Sequence, residues 1–265
     1  MLKTRVLTAL VGVPVFLIFV YFGGYWYGLF ILLISIIGLK EYYSLMRKGG
    51  LNPVETTGYI FVPLALYAVF KENMPLLISL WVLFFAAFSL FPVFFHSKVK
   101  YWESAISYWG ILYTVGLASF LLLIRLLPDG LVLTVILIIL IWSVDIMAYI
   151  VGSMLGKTPL AKKISPKKTV EGTIAGLAGS TLAGLLVYKI FLLPYLNVQT
   201  ALLLGFMTGI AGTLGDLSQS ALKRAVNAKD SGDLLPGHGG ILDRFDSLLF
   251  AAPFFYIYFK FLLLL

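Results

Sequence analysis

The stretch LVLTVILIILIWSVDIMAYIVGS, residues 131–153, decides the fold class of this chain. It carries one charged side chain, that of Asp145, in a run long enough to cross the hydrocarbon core of a bilayer as a helix. Similar apolar runs lie at about 6–21, 25–39, 58–70, 75–95, 105–124, 173–193, 199–218 and 247–265. We therefore predict an all-α, polytopic integral membrane protein with about nine transmembrane helices.

Composition favours one membrane domain. The chain is 60% hydrophobic and 12% charged, with a mean hydropathy of +0.99, and no polar interval is long enough for a soluble domain. We predict a single integral membrane domain over 1–265, with N-terminal helices in 1–130 and catalytic helices and cytoplasmic loops in 131–265. The first apolar run follows basic residues but lacks a cleavage site, so we expect an uncleaved span. The absence of cysteine excludes disulfides, thiolate nucleophiles and cysteine-bound metals.

The positions of the basic residues predict the orientation in the membrane. With nine spans, 16 of the 20 Lys and Arg residues fall on the same side as the N-terminus. By the positive-inside rule, the N-terminus and the active site are expected to be cytoplasmic, in the inner (cytoplasmic) membrane. Basic loops also account for part of the net charge of +8. No basic surface is interleaved with aromatic residues, so we expect no nucleic acid partner.

Small residues recur at every fourth position in two predicted spans. They are Gly172, Gly176, Ser180 and Gly184 in the seventh span, and Gly205, Gly209 and Thr213 in the eighth. This spacing allows helix backbones to approach closely, so we expect a packing role. The partner is either another span or a second copy of the chain, which leaves a homodimer as a possible assembly.

Asp145 is the first of three places where chemistry is expected. A carboxylate inside an apolar span is costly and is usually turned towards a polar cavity or a partner. Asp145 is therefore a candidate for substrate binding, and the alternative is a structural hydrogen bond to a neighbouring helix.

The second place is the interval GSMLGKTPLAKKISPKKTVEG, Gly152 to Gly172. GSMLGKT is one residue too short for a phosphate-binding P-loop and follows a helix instead of a strand, so we reject that motif. Five lysines, at 157, 162, 163, 167 and 168, nevertheless make a field suited to a polyphosphate. We expect a turn to start at Ser165-Pro166, and Thr169 or Ser165 to cap the helix that follows. A loop that merely sets topology is the alternative.

The third place is the polar segment around the end of the eighth span. Asp216, Ser220 and Lys223 are spaced to share one helical face, and Asp243 and Asp246 are spaced i, i+3 on another. Carboxylates converging from two helix ends offer oxygen ligands to Mg²⁺. Between the helices, Gly237, Gly239 and Gly240 allow unusual backbone conformations and the close approach of a ligand that a side chain would block. A solvated loop with incidental ion pairs is the weaker alternative.

This segment resembles a known signature. SALKRAVNAKDSGDLLPGHGGILDRFD, Ser220 to Asp246, is similar over its full length to the signature of phosphatidate cytidylyltransferases, the CDP-diacylglycerol synthases. SPKKTVEG, Ser165 to Gly172, also resembles a segment of that family, with Val170 where an aromatic residue is common. The likeness extends loosely over the C-terminal half from Asp145, whereas the first ~130 residues match only in being hydrophobic.

The resemblance implies a multispan membrane enzyme that makes CDP-diacylglycerol and pyrophosphate from phosphatidic acid and CTP, with Mg²⁺. We expect the metal ligands to be Asp216, Asp243 and Asp246, which with Lys223 and His238 form the predicted catalytic set. His238 is not expected to be an essential base, because the attacking phosphate is already ionised. The predicted substrate-binding set is Asp145, Lys157, Lys167, Lys168, Ser220, Arg224, Lys229, Asp230, Gly239, Gly240 and Arg244.

Two other functions compete with this prediction. One is a CDP-alcohol phosphotransferase, but the Asp-Gly-x-x-Ala-Arg arrangement of that class is absent. The other is a secondary transporter of an organic anion, in which Asp145 and Asp216 would couple ion and substrate movement. Charges clustered at one face of the membrane argue against a transporter, whose sites lie near the midplane.

Overall fold

The computed structural model describes residues 2–95, 98–234, 237 and 239–262. For residues 2–7, 9 and 262 it describes the backbone and not the side chains. The helices are α1 (Leu2–Phe22), α2 (Gly24–Lys48), α3 (Glu55–Phe70), α4 (Met74–Phe94), α5 (Tyr101–Ile111), α6 (Leu117–Leu126), α7 (Gly130–Leu155), α8 (Val170–Phe191), α9 (Val198–Ala225) and α10 (Leu242–Ile257). Short π-helical segments, Leu112–Gly116 and Tyr258–Leu262, follow α5 and α10.

The apolar helices confirm a polytopic membrane protein. Within the described residues, six helical stretches are long and apolar enough to cross a bilayer: α2, α4, α5 to α6 taken as one, α7, α8 and α9. The most hydrophobic window, with a mean hydropathy of 2.7, lies in α7, the helix of the opening stretch. Leu10–Phe22 and α3 are shorter apolar helices, so the count of nine spans stays a prediction.

The contacts divide the chain into two compact units. The first contains Met1–Leu126 and Ala225–Arg244, and the second contains Leu127–Arg224 and Phe245–Leu265. In the first unit, α2 packs against α5 through two tyrosines: the Tyr42 hydroxyl donates to Ile106 O at 3.3 Å and the Tyr43 hydroxyl donates to Ser107 O at 3.2 Å. The polar signature segment therefore belongs mostly to the unit of the N-terminal helices.

Helix α2 is longer than the sequence predicts. The expected span ended near residue 39, but the helix continues to Lys48 and stops at Gly49-Gly50, where Gly50 has φ of +79°. Lys, Glu, Leu and Met are good helix formers, so the polar residues after 39 end the apolar run without ending the helix. Helix α9 likewise continues past residue 218 to Ala225.

Small residues hold α8 and α9 together in the second unit. A Cβ added at Gly184 would lie 2.3 Å from Ala201 O, and one added at Gly205 would lie 2.3 Å from Ser180 O. The Ser180 hydroxyl also donates to Gly205 O across the same contact, at 2.8 Å. Side chains larger than hydrogen are therefore excluded where the two backbones meet, which confirms the packing role of the stripes.

A small hairpin departs from the all-α pattern. Strand β1 (Pro159–Ala161) pairs antiparallel with β2 (Ser165–Thr169), with Pro159 opposite Thr169 and Ala161 opposite Ser165. The turn occupies residues 162–164, so the expectation of a turn starting at Ser165-Pro166 is wrong. The pairing of β1 with β2 outweighs the turn preference of Ser165-Pro166 here. Pro166 lacks an N–H to donate to a strand ladder, and it is tolerated because both strands of a two-stranded hairpin are edge strands.

Candidate functional site in two polar clusters

One polar cluster lies at the end of α9, in the second unit. The Ser220 hydroxyl donates to Asp216 Oδ1 at 3.3 Å, one helical turn away. Lys223 follows one turn further along the same face, where it is half-buried. The predicted spacing of these three residues is confirmed. It places a carboxylate, a hydroxyl and an ammonium group along one face of α9.

The β1–β2 hairpin contacts this end of α9 at two points. The Lys168 ammonium forms an ion pair with Asp216, and both side chains are about a third exposed at 28% and 30%. Nearby, Arg224 Nε donates to Ile164 O in the hairpin turn at 3.3 Å. The second and third places identified in the sequence are therefore parts of one cluster, although they lie about 50 residues apart in the chain.

Asp246 adds a second carboxylate to the cluster. Burial, and next the neighbouring Asp216 carboxylate, raise the pKa of Asp246 to about 8, whereas Lys223 acts in the opposite direction. Asp246 Oδ1 accepts from Ser247 N at 2.6 Å. A carboxyl in these surroundings is stabilised in its charged form by a nearby cation, and Lys168 and Lys223 lie in the same cluster.

The base of the hairpin is fastened to the start of α8. Thr169 caps the helix, with Oγ1 accepting from Gly172 N at 3.2 Å, so the Thr169 cap is confirmed and the Ser165 alternative is not. The Glu171 carboxylate accepts from Lys157 N at 3.1 Å and from Thr158 N at 3.2 Å. Sequence analysis did not single out Glu171, although it is the Glu of the SPKKTVEG segment.

The predicted binding residues differ in exposure. Asp216, Ser220, Lys223, Lys168, Asp243, Asp246 and Gly239 are half-buried and Gly240 is buried. The exposed members are Asp145, Lys157, Lys167, Arg224, Lys229, Asp230 and Arg244. His238 lies outside the described residues. Within the second unit, exposed Lys157, Lys167 and Arg224 accompany the half-buried carboxylates Asp216 and Asp246, a combination of groups that suits an anionic ligand arriving from solvent.

A second cluster closes the signature loop in the first unit. Asp243 Oδ2 accepts three hydrogen bonds: from Ser231 N at 2.7 Å, from the Ser231 hydroxyl at 2.9 Å and from Gly240 N at 3.1 Å. Asp243 thus ties the start of α10 back to residue 231. Asp243 and Asp246 both lie in the first two turns of α10, as their spacing predicts.

The glycines of the loop make room for this carboxylate. Gly239 has φ of +81°, and a Cβ there would lie 2.7 Å from Asp243 Oδ2. A Cβ at Gly240 would lie 2.2 Å from the Ser231 hydroxyl oxygen. The expected unusual backbone is found at Gly239, whereas close approach of a ligand stays a prediction, because the groups that approach these two glycines are side chains of Asp243, Ser231 and Glu41.

Glu41 on α2 completes the same cluster and was missed by sequence analysis. Oε1 accepts from Ile241 N at 2.8 Å, and Oε2 accepts from Leu242 N at 2.9 Å and from the Ser231 hydroxyl at 3.0 Å. These partners lie 190 to 201 residues away in sequence. The one feature near Glu41 that could have drawn attention to it is its position: it is a carboxylate directly after the apolar run 25–39, beside Lys40.

The carboxylates of the described residues offer a small set of oxygen ligands for Mg²⁺. Among the described residues, no group of three or more His, Asp or Glu side chains is arranged to hold a metal. Mg²⁺ is commonly bound by one or two carboxylates, with water and substrate phosphate completing its shell. Asp216 and Asp246, close enough to repel each other, fit that smaller requirement. Asp216, Asp243 and Asp246 as metal ligands all stay predictions.

The chain is similar to known enzymes over almost its whole length. A phosphatidate cytidylyltransferase of Synechocystis sp. is 36% identical over an alignment of 289 residues, which covers 98% of this chain and 97% of that protein. Phosphatidate cytidylyltransferases of Staphylococcus haemolyticus and Staphylococcus saprophyticus are 35% and 36% identical, each over 95% of this chain and 96% of theirs. The model of the cytidylyltransferase family matches residues 3–262. The chain therefore belongs to the cytidylyltransferase family.

Proposed function

We propose that this protein transfers CMP from CTP to phosphatidic acid, giving CDP-diacylglycerol and pyrophosphate for phospholipid synthesis. The observation that carries the proposal is the Lys168–Asp216 ion pair, with Asp246 in the same electrostatic cluster. It sets cations and carboxylates together at the end of a membrane helix. Joining a lipid phosphate to a nucleotide needs that combination, because both substrates are anionic.

In the proposed reaction, a phosphate oxygen of phosphatidic acid attacks the α-phosphorus of CTP. The bond between the α- and β-phosphates breaks, and pyrophosphate leaves. No strong base is needed, since the attacking phosphate is ionised near neutral pH. The task of the protein is therefore to hold two anions in line and to offset their repulsion.

The hairpin lysines are proposed to hold the nucleotide. Lys157 and Lys167 are exposed and Lys168 is half-buried, so the first two present their ammonium groups to a ligand arriving from solvent. We propose that these three bind the β- and γ-phosphates of CTP. Lys223, Arg224, Lys229 and Arg244 are proposed to bind the lipid phosphate or the leaving group. Ser220, Asp230, Asp145, Gly239 and Gly240 are proposed as further substrate-binding residues, and His238 stays a proposed member of the catalytic set.

The carboxylates are proposed to hold Mg²⁺. Asp216 and Asp246 are the pair whose proximity supports this role, and Asp243 is the third proposed ligand. If bound there, Mg²⁺ would supply positive charge that offsets the negative charge developing on the phosphates during transfer. Asp216 also forms an ion pair with Lys168.

Purified protein in detergent tests the proposal. CTP and phosphatidic acid are supplied with Mg²⁺, and CDP-diacylglycerol and pyrophosphate are measured for wild type, Asp216→Asn and Asp129→Asn. Asp129 is a matched control, since it lies in the same unit but accepts from the Tyr195 hydroxyl at 3.0 Å. Product from wild type and Asp129→Asn, and none from Asp216→Asn, is the expected result. Absence of product from folded wild type overturns the proposal.

The protein is a multi-pass membrane protein, and its orientation is a further proposal. The excess of Lys and Arg on one side supports an inner-membrane location with the N-terminus and active site cytoplasmic. Because the chain has no cysteine, single-cysteine labelling is clean. We expect Lys162→Cys to react with an impermeant thiol reagent from the cytoplasmic side, and Lys71→Cys from the opposite side. The reverse pattern would overturn the orientation.

A homodimer also stays a proposal. The sequence suggested it through the small-residue stripes, but the contacts of Gly184 and Gly205 lie between α8 and α9 of one chain. Those stripes therefore no longer favour a second copy. The test is to measure the protein mass of the purified complex in detergent. A protein mass of two chains supports the dimer, and a protein mass of one chain excludes it.

A further inference from the structure

Glu41 is a buried carboxylate that the proposed reaction does not use. It is 7% exposed, in the first compact unit, and it accepts from two consecutive backbone N–H groups at the start of α10. In the described part of the chain, no Lys or Arg forms an ion pair with it. Its charge is met instead by helix N-terminal N–H groups and a hydroxyl, an arrangement that favours an anion.

Ser231 links this carboxylate to Asp243. The Ser231 hydroxyl oxygen lies 3.0 Å from Glu41 Oε2 and 2.9 Å from Asp243 Oδ2, and Ser231 is 1% exposed. A hydroxyl has one proton, so it can donate fully to one carboxylate at a time. The two carboxylates therefore share a single donor, and a change at Glu41 alters the hydrogen bonding of Asp243.

The loop is shaped around Glu41. A Cβ at Gly240 would lie 2.4 Å from Glu41 Oε2, and one at Gly232 would lie 2.9 Å from Oε1. Each of the two glycines leaves space that the carboxylate occupies. A charge buried this completely is costly unless it is fully hydrogen-bonded, so its presence needs a reason beyond packing.

We infer that Glu41 is a positioning residue for Asp243: it holds Ser231 and the first turn of α10, and so fixes the place of the Asp243 carboxylate within the first unit. The inference rests on the proposed function for its effect on turnover, but not for its effect on the loop. Glu41 itself is not proposed as a catalytic residue, because its hydrogen-bond partners among the described residues are two backbone N–H groups and the Ser231 hydroxyl.

Glu41→Gln is a sharp test because it keeps size and removes one acceptor. In either orientation of the amide, its NH₂ faces Ile241 N or Leu242 N, so one donor meets another donor. Glu103→Gln is the matched control. Glu103 is also buried, at 2% exposed, in the same unit, and accepts from Asn52 N and Lys100 N at 3.1 Å.

Two readouts are expected to move together. Turnover of Glu41→Gln should fall about 10- to 100-fold, the usual range when a second-layer hydrogen bond to a functional group is lost. The KM values for CTP and phosphatidic acid should stay within about twofold, because Glu41 contacts neither substrate. Amide hydrogen exchange should become roughly tenfold faster in a peptide covering residues 230–244 and stay unchanged over 159–169.

The control separates positioning from general destabilisation. Glu103→Gln should keep both the turnover and the exchange of residues 230–244 at wild-type values. If Glu103→Gln matches Glu41→Gln in both readouts, or if Glu41→Gln changes neither, the inference is wrong. If Glu41→Gln does not fold, Ser231→Ala replaces it, and the same pair of effects is required.

Failure of the proposed function gives a different pattern. If wild type makes no CDP-diacylglycerol, the proposed function fails and turnover carries no information. The exchange of residues 230–244 in Glu41→Gln still decides the positioning role, because it is measured without substrate. Unchanged exchange there overturns the inference whatever the enzyme makes.

Discussion

Lys168 on strand β2 forms an ion pair with Asp216 on helix α9, and this contact joins the two polar motifs of the C-terminal half. The Asp216 carboxylate is therefore compensated by a cation of the hairpin. Under the proposed function, a phosphate of CTP would pair with Lys168 and Mg²⁺ would pair with Asp216, so each partner would exchange one ionic contact for another. The pair would then link nucleotide binding to metal binding.

Removing the acidic partner should abolish most turnover. In Asp216→Asn, the side chain keeps its shape but loses the charge that would hold Mg²⁺, and Lys168 loses its partner. We expect kcat to fall about 10²- to 10³-fold, as for other electrostatic contacts to reacting groups. Steady-state assay of CDP-diacylglycerol measures this, and a kcat within about threefold of wild type would remove Asp216 from the site.

Removing the basic partner should weaken CTP binding more than it slows the reaction. Lys168→Met keeps the length of the side chain without its charge, so we expect the KM for CTP to rise about tenfold. Lys162→Met is the control, since Lys162 is exposed in the hairpin turn. Equal effects in the two variants would indicate a general electrostatic field and not a specific contact.

The contact between α8 and α9 should tolerate no added side chain. Gly205→Ala would bring Cβ to 2.3 Å from Ser180 O, so the helices must separate. We expect a loss of about 1–3 kcal/mol in the free energy of unfolding, seen as a lower Tm in detergent. Gly12→Ala has open space within 4 Å and should leave Tm unchanged or slightly raised. A Tm for Gly205→Ala equal to that of Gly12→Ala would contradict this packing.

The cap of α8 should matter for the hairpin. Thr169→Ala removes the acceptor for Gly172 N, a change that costs about 1 kcal/mol at a typical N-cap. We expect a lower Tm and faster proteolysis between residues 156 and 170. Thr169→Ser retains the hydroxyl and should behave like wild type. If Ser and Ala substitutions are equally harmful, the methyl group of Thr169 and not its hydroxyl is responsible.

Features set by nearby residues were predictable from sequence. The Asp216–Ser220 hydrogen bond follows from a spacing of four on a helix, and the Thr169 cap follows from a polar residue before an apolar run. The packing of Gly184 and Gly205 follows from small residues recurring at that same spacing. In each case, one local rule acts without competition from distant contacts.

Features that depend on distant partners were missed. Glu41 meets Ser231 and the start of α10 some 190 residues later, and nothing around Glu41 in sequence indicates this. Ser165-Pro166 has turn chemistry, but pairing with Pro159–Ala161 makes it a strand. Helix α2 continues beyond its expected end because the prediction followed the apolar run. The length of an apolar run indicates which residues lie in the membrane, but a helix can continue into polar residues beyond it.

The most direct test of the account is turnover of CTP and phosphatidic acid by the purified wild-type protein, with Mg²⁺ and after its removal by a chelator. We expect equal amounts of CDP-diacylglycerol and pyrophosphate with Mg²⁺, none after chelation, and recovery when Mg²⁺ is restored. Well-folded protein that forms no CDP-diacylglycerol with Mg²⁺ would contradict the account.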